Sequence, residues 1–146
     1  MPPRKQHVAL LLAKAAQDEY VLDKLLNDPE APLEVFGFHA QQTAEKLLKA
    51  VLSHAGIAYP RTHQLVELLD LAADHGLQLP AEAEELRHLT PFAVEFRYDV
   101  LPGEERPGLD KAAVRRELAR LRTWIETRIH GKVAETRAKY RAKRKR

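Results

Sequence analysis

An all-α fold, an antiparallel up-and-down bundle of four to five helices, is what this sequence predicts. Three observations predict it. No stretch alternates apolar and polar residues, and Val, Ile and Thr are sparse, so strands have no signature. Apolar residues recur instead at steps of three and four through several long segments. Most of the breaks between those segments are short and carry Pro or Gly, which favours antiparallel neighbours, and there is no tandem repeat of constant period that would make a solenoid.

The first helix is expected from about Arg4 to Asn27, with Val8, Leu11, Leu12, Ala15, Leu22, Leu25 and Leu26 as its apolar stripe. Asn27-Asp28-Pro29 ends it, because proline disfavours helical geometry in the residue before it. The second is expected from about Pro32 to His54. Proline suits a first helical turn, where its missing N–H is not needed. Phe36, Ala40, Ala44, Leu47, Leu48, Val51 and Ala55 form its stripe, and Gly56 terminates it. A short third helix follows, with Thr62 as its cap, Leu65, Val66, Leu68, Leu69 and Ala72 on its buried side, and Gly76 as its stop. Pro80 opens a fourth, which extends towards Tyr98. Pro91 lies inside it, and either kinks the helix or follows Thr90 as the start of a new one. The common register of Leu86, Leu89, Ala93 and Phe96 favours the kink. Residues 99–108 are a loop by composition. The fifth helix starts near Asp110 and carries Ala113, Val114, Leu118, Leu121, Ile125 and Ile129. Gly131 frays or ends it, although good helix formers in residues 132–143 allow it to continue.

With 146 residues, 45 % of them hydrophobic, the chain has enough for one domain with a proper core. It contains no cysteine, which excludes disulfides, thiol nucleophiles and Cys-based zinc sites. No segment reads as a signal peptide, and no apolar run approaches the roughly 20 residues needed to cross a bilayer. A cytoplasmic protein without membrane contact is therefore expected. The net charge of +3 is unevenly placed. Residues 131–146 hold eight Lys or Arg and one Glu, a local +7, so residues 1–130 carry −4. Two parts are expected on this ground: a helical domain over residues 1–130 and a basic tail over 131–146. The tail is suited to phosphate contacts, which are driven by counterion release.

Several chemistries fail at the level of motif. There is no Gly-rich phosphate loop, no Gly-x-Ser-x-Gly elbow and no His-Glu-x-x-His zinc pattern. The paired Glu-x-x-His motifs of a di-iron bundle are absent. The seven histidines are scattered, and neither a metal nor another cofactor is expected. Two clusters remain. On the second helix, His39, Gln42, Lys46 and Lys49 share one line, and Gln41 and Glu45 share another. Gln amides both donate and accept, which suits a specific polar surface, though an ordinary solvated face has the same pattern. In Thr90–Tyr98, Arg97 sits beside an aromatic ring at an expected helix end. There it can answer the helix dipole or grip a phosphate with a planar fork of donors.

Phe38-His39-Ala40-Gln41-Gln42-Thr43-Ala44-Glu45-Lys46, then Thr62-His63-Gln64-Leu65 with Leu68-Leu69, then Leu89-Thr90 and Phe92-Ala93-Val94-Glu95-Phe96-Arg97-Tyr98, resembles the HEPN domain family, the higher-eukaryote and prokaryote nucleotide-binding domain, in its small prokaryotic stand-alone type. The resemblance covers roughly residues 5 to 130. It implies a four- to five-helix bundle, commonly a homodimer, often paired with a minimal nucleotidyltransferase in toxin–antitoxin-like modules. Many members are metal-independent endoribonucleases with an Arg, four to six residues, then a His. In that chemistry His moves protons near neutral pH and Arg stabilises charge on the phosphate.

This chain departs from that pattern. After Arg97 no histidine occurs until His130, and no other Arg has a His at the required spacing. The family's Arg-Tyr-Pro is also Arg-Tyr-Asp here, at residues 97–99. The expectation is therefore a noncatalytic protein that binds nucleotide or RNA and works with a nucleotidyltransferase. Arg97, Lys46, His39 and Gln42 are the expected phosphate-binding residues. A rearranged ribonuclease site is the alternative, with Arg97 and His63 as its catalytic candidates. A pure dimerisation module is the third reading, with Gln41, Gln42 and Glu45 at the interface.

Overall fold

The computed structural model describes residues 2–93 and 109–144, and side chains within residues 4–93 and 109–131. The described residues form helices and connections and contain no strand. In chain order they are α1 (Pro2–Leu25), α2 (Leu33–His54), α3 (Leu65–Asp74), a 3-10 helix (Ala81–Phe92) and α4 (Lys111–Arg144).

Helix α2 is the centre of the molecule, packed against every other element. Its stripe residues Phe36, Ala40, Ala44, Leu47, Leu48 and Val51 are fully buried, together with Ala50 and Leu52 from a second face. Ala55, expected to complete the stripe, is instead the exposed C-cap. Helix α1 runs antiparallel to α2. Its first turns lie beside Gly56, and Asp18 meets His39 and Lys46. Helix α4 runs alongside in the sense of α2. Lys111 at its start lies over Phe36, while Ile129 and His130 share a cleft with His54. Val114, Leu118, Leu121 and Ile125 of α4 enter the same core as Ala15 and Leu22 of α1.

The ends of α2 and α3 follow from their glycines. Gly56 and Gly76 have φ of 76° and 78°, which side chains resist. In each case the amide one residue later closes onto the carbonyl five residues back, Ile57 to Leu52 and Leu77 to Ala72, both at 2.9 Å. The start of α3 is less local. Thr62 is not its cap: the helix begins at Leu65, and the Thr62 hydroxyl accepts from the Gln64 amide at 3.0 Å. The Leu65 amide donates to the Thr90 hydroxyl at 3.3 Å, so a distant residue serves the helix end.

The fourth element corrects the sequence reading. It is a 3-10 helix that stops at Phe92, with Ala93 already extended (φ −61°, ψ 153°), rather than an α-helix kinked at Pro91. The buried residues are Ala83, Leu86, Leu89 and Phe92, at steps of three. A helix with three residues per turn stacks those positions on one line, which an α-helix would wind away. Val94 to Tyr98 and the expected 99–108 loop lie outside the described residues. Phe92 packs its ring onto Gly37 of α2; a Cβ at Gly37 would stand 2.2 Å from the Phe92 Cδ1. At the other end of the chain, α4 continues through Gly131 to Arg144. The expected boundary between domain and tail therefore falls within one helix. No helix among the described residues is long and apolar enough to cross a membrane.

Candidate functional site

Two acids that belong to apolar surroundings organise the polar face of α2. The first is Glu45, 6 % exposed, in a helix otherwise buried by aliphatic side chains. Gln41, one turn earlier and fully buried, donates to Glu45 Oε1 at 3.0 Å and to the His63 carbonyl at 3.0 Å. Gln42 donates to Gln41 Oε1 at 2.7 Å. Lys49, one turn later, reaches Glu45 Oε2 at 3.1 Å. His63, on the loop before α3, places its Nδ1 2.8 Å from Glu45 Oε1. Burial pushes the Glu45 carboxyl up, but hydrogen bonds from Gln41 and His63, with Lys49 beside them, outweigh it and hold the group below the ordinary carboxylate range.

The chemistry of this cluster lies in how it presents His63. Its side chain is half exposed, while its carboxylate partner is 7 % exposed. A carboxylate on Nδ1 favours the tautomer with hydrogen there, which leaves Nε2 able to accept a proton or bond a ligand. Nε2 has no partner among the described residues. Gln42 and Lys49, partly exposed on α2, join the same network through Gln41 and Glu45.

The second acid is Asp18 of α1. Its two oxygens meet His39 Nδ1 at 2.9 Å and Lys46 Nζ at 2.5 Å. This clamp joins α1 to α2 and answers the charge of Lys46 from within the fold. A phosphate reaching Lys46 or His39 would compete with Asp18.

The structure thus divides the expected residues. His39 and Lys46 share one cluster; Gln41, Gln42, Glu45 and His63 share another. Gln41 and Glu45, expected at an interface between protomers, are buried within the chain by His63 and their own helix, and Gln42 alone of the three is partly exposed. Arg97 lies outside the described residues. No group of three or more His, Cys, Asp or Glu among the described residues could hold a metal ion. Sequence reasoning missed Asp18 and also Glu19, which pairs with Arg122 of α4 through Nε at 2.8 Å. Both acids lie on the α1 stripe, three and four residues from Ala15 and from Leu22. Acids in an apolar stripe are the signal that marks them.

A family model described as HEPN domain matches residues 8–127, a span that takes in Asp18, all of α2 and His63. No curated protein and no solved structure matches the chain.

Proposed function

The chain belongs to the HEPN domain family, and on that premise we propose that it binds nucleotide or RNA, with His63, Lys49 and Gln42 forming the described part of the site and Arg97 supplying a phosphate contact. The observation that carries this reading is Glu45: a buried carboxylate, fully engaged, that fixes a half-exposed histidine beside a lysine and an amide. Donors held in place lose less freedom on binding than solvated ones. Lys46 and His39 are kept in the proposal as neighbours that Asp18 would have to release. The test is the binding of ATP and of a short RNA to wild type, Arg97→Ala and His63→Ala. A charge-assisted contact supports a loss of about tenfold or more for each variant. Equal affinity in a variant removes that residue from the site.

The two-component part of the reading, a homodimer in the cytoplasm that docks a minimal nucleotidyltransferase in a toxin–antitoxin-like module, rests on the family alone. Light scattering on the purified protein and co-purification with such an enzyme test it, and a monomer without a partner would refute it.

The Glu45–His63 pair also favours the second reading, a metal-independent endoribonuclease with a rearranged site. A histidine oriented by a carboxylate is suited to move a proton from the attacking 2′-hydroxyl, and an arginine to stabilise the phosphorane charge. Incubation with structured and single-stranded RNA in EDTA decides between the readings. Cleavage lost in both His63→Ala and Glu45→Gln supports the enzyme; intact RNA leaves the binder.

A further inference from the structure

A cleft of about 370 Å³ opens between the first turns of α1, the end of α2 and α4 near Ile129, and shares no lining residue with the clusters around His63 and Asp18. Its lining is sorted along α1. Arg4 and Lys5 stand on one turn, Val8 and Ala9 on the next, and Leu12 one turn further. Arg4 lies at the end of the bundle, where a Cβ at Gly56 would stand 3.2 Å from its Nη1. His54 and His130 join it there, since the charges of Arg4 and His130 both act on His54. Leu12 is deeper: its carbonyl accepts from Arg122, about two turns before Ile129 on α4. One end of the cleft is therefore basic and the other aliphatic, and at the rise of an α-helix Arg4 and Leu12 are about 12 Å apart.

The lining also excludes. Among the described residues, no Ser, Thr, Asn, Gln, Tyr, Asp or Glu faces the cleft. A sugar, an amide or the edge of a base would bring in hydroxyl or amide groups that no side chain bonds, at a cost where water is displaced. The ligand that fits has one anionic group and is otherwise hydrocarbon. The need for an anion follows from the charges. Elsewhere this protein answers partly buried cations with acids: Lys46 with Asp18, Lys49 with Glu45, Arg122 with Glu19. Arg4, Lys5, His54 and His130 take part in no ion pair among the described residues. The effect is visible at His54, whose proton affinity is lowered, first by burial and then by the positive charges of Arg4, Arg128 and His130. The volume falls at the small end of the range for clefts that hold small organic ligands, roughly 300–1,000 Å³.

We propose that this cleft binds a medium-chain fatty acid, its carboxylate among Arg4, Lys5, His54 and His130 and its unbranched chain on Val8, Ala9, Leu12 and Ile129. The site is independent of the one around His63, and either can fail alone. Two further CH2 groups laid on the aliphatic floor should tighten binding about tenfold. A bound carboxylate favours the charged imidazole, so binding takes up a proton at His54. The charged and titratable groups facing it are Arg4 of α1 and Arg128 and His130 of α4, with Lys5 on the same rim. Affinity is therefore expected to rise as pH falls from 7.5 to 6, while the ligand keeps its own charge, which carboxyl groups lose only at about pH 4.

Calorimetric titration of the full chain with hexanoate, octanoate and octan-1-ol tests the proposal, with the histidine ring signals followed by NMR. Expected are single-site binding, octanoate about tenfold tighter than hexanoate and at least tenfold tighter than octanol, and shifts at His54 and His130. Arg4→Gln combined with Lys5→Gln should weaken octanoate at least tenfold and leave octanol unchanged. Ala9→Trp, which plugs the cleft from an exposed position of α1, should abolish the binding of both. Equal affinity for hexanoate and octanoate in wild type would overturn the site, as would octanoate affinity unchanged in the variants. Shifts confined to His39 and His63 would place the ligand at the other clusters and overturn it equally. AMP that displaces octanoate at lower concentration would show that the cleft accepts a polar ring, against the proposal. Sedimentation with phosphatidylglycerol vesicles in the absence of any binding to free octanoate would assign the cleft to a membrane surface and overturn the small-molecule reading.

Discussion

Gly37 and Glu45 show how single positions on α2 are fixed by what lies outside the helix. Alanine normally stabilises a helix interior relative to glycine, by about 1 kcal/mol. At Gly37 the added carbon would meet the Phe92 ring at 2.2 Å. Gly37→Ala is therefore expected to destabilise the protein, by about 1–2 kcal/mol, an overpacking strain of about 1–3 kcal/mol partly offset by the helix gain. Urea unfolding checks this, and a gain in stability would show that the ring yields freely. For Glu45 the prediction concerns pH. Its folded-state affinity for protons is lowered, so its contribution to stability is present above the ordinary carboxyl value of 4.5 and lost as pH falls through the lower folded value. Wild type should lose stability below about pH 4.5 more steeply than Glu45→Gln, as read from thermal unfolding across pH 3 to 7. Parallel curves would mean that other acids carry the acid limb.

At the scale of elements, ion pairs supplement the shared apolar core where α4 meets α1. Arg122 donates from Nε to both oxygens of Glu19 at 2.8 Å, from Nη1 to Glu126, and from Nη2 to the Leu12 carbonyl at 3.2 Å. Burial acts against the Arg122 charge, yet the hydrogen bonds to Glu19 and Glu126 raise its proton affinity further. Removing one partner strands the other. Arg122→Ala leaves Glu19, 8 % exposed, without its cation, and should cost about 2–3 kcal/mol, below the usual figure for a fully buried pair because the arginine head keeps some solvent. Adding Glu19→Leu should recover much of that loss. A double variant as unstable as the single would show that α1 and α4 need the charges for more than local pairing. The 3-10 helix is tied in a similar way, since its Thr90 hydroxyl serves the first amide of α3.

For the whole molecule, charge is segregated along the chain. The mildly acidic body ends in α4, whose last turns, from Gly131 to Arg144, carry most of the basic residues of the chain's end. Because α4 is continuous, those residues are presented on a rod anchored in the core by Leu121 and Ile125. If RNA binds there, affinity should fall with salt. Replacing Arg141, Lys143 and Arg144 with Gln should flatten the slope of log affinity against log salt by about 0.7 for each phosphate no longer neutralised. An unchanged slope would exclude the end of α4 from the RNA interface.

Helix content, the stripe of α2 and the glycine stops at Gly56 and Gly76 were determined by the sequence itself. Steps of three and four, and the need of a left-handed residue at a helix end, are local rules that a chain cannot hide. The signature around Gln41, Glu45 and His63 was equally legible as a pattern of family type. What the pattern could not supply was direction. A polar line on a helix looks alike whether it faces solvent, a partner or its own fold, and only the packing of the 62–64 loop against α2 turned Gln41 and Glu45 inward. The 3-10 geometry was decided at the same level: it puts Ala83, Leu86, Leu89 and Phe92 on one buried line, and Gly37 leaves room for the Phe92 ring at its end. The roles of Asp18 and Glu19 join residues from 21 to 103 positions apart. No local rule relates such residues; their meeting is a property of the tertiary fold alone.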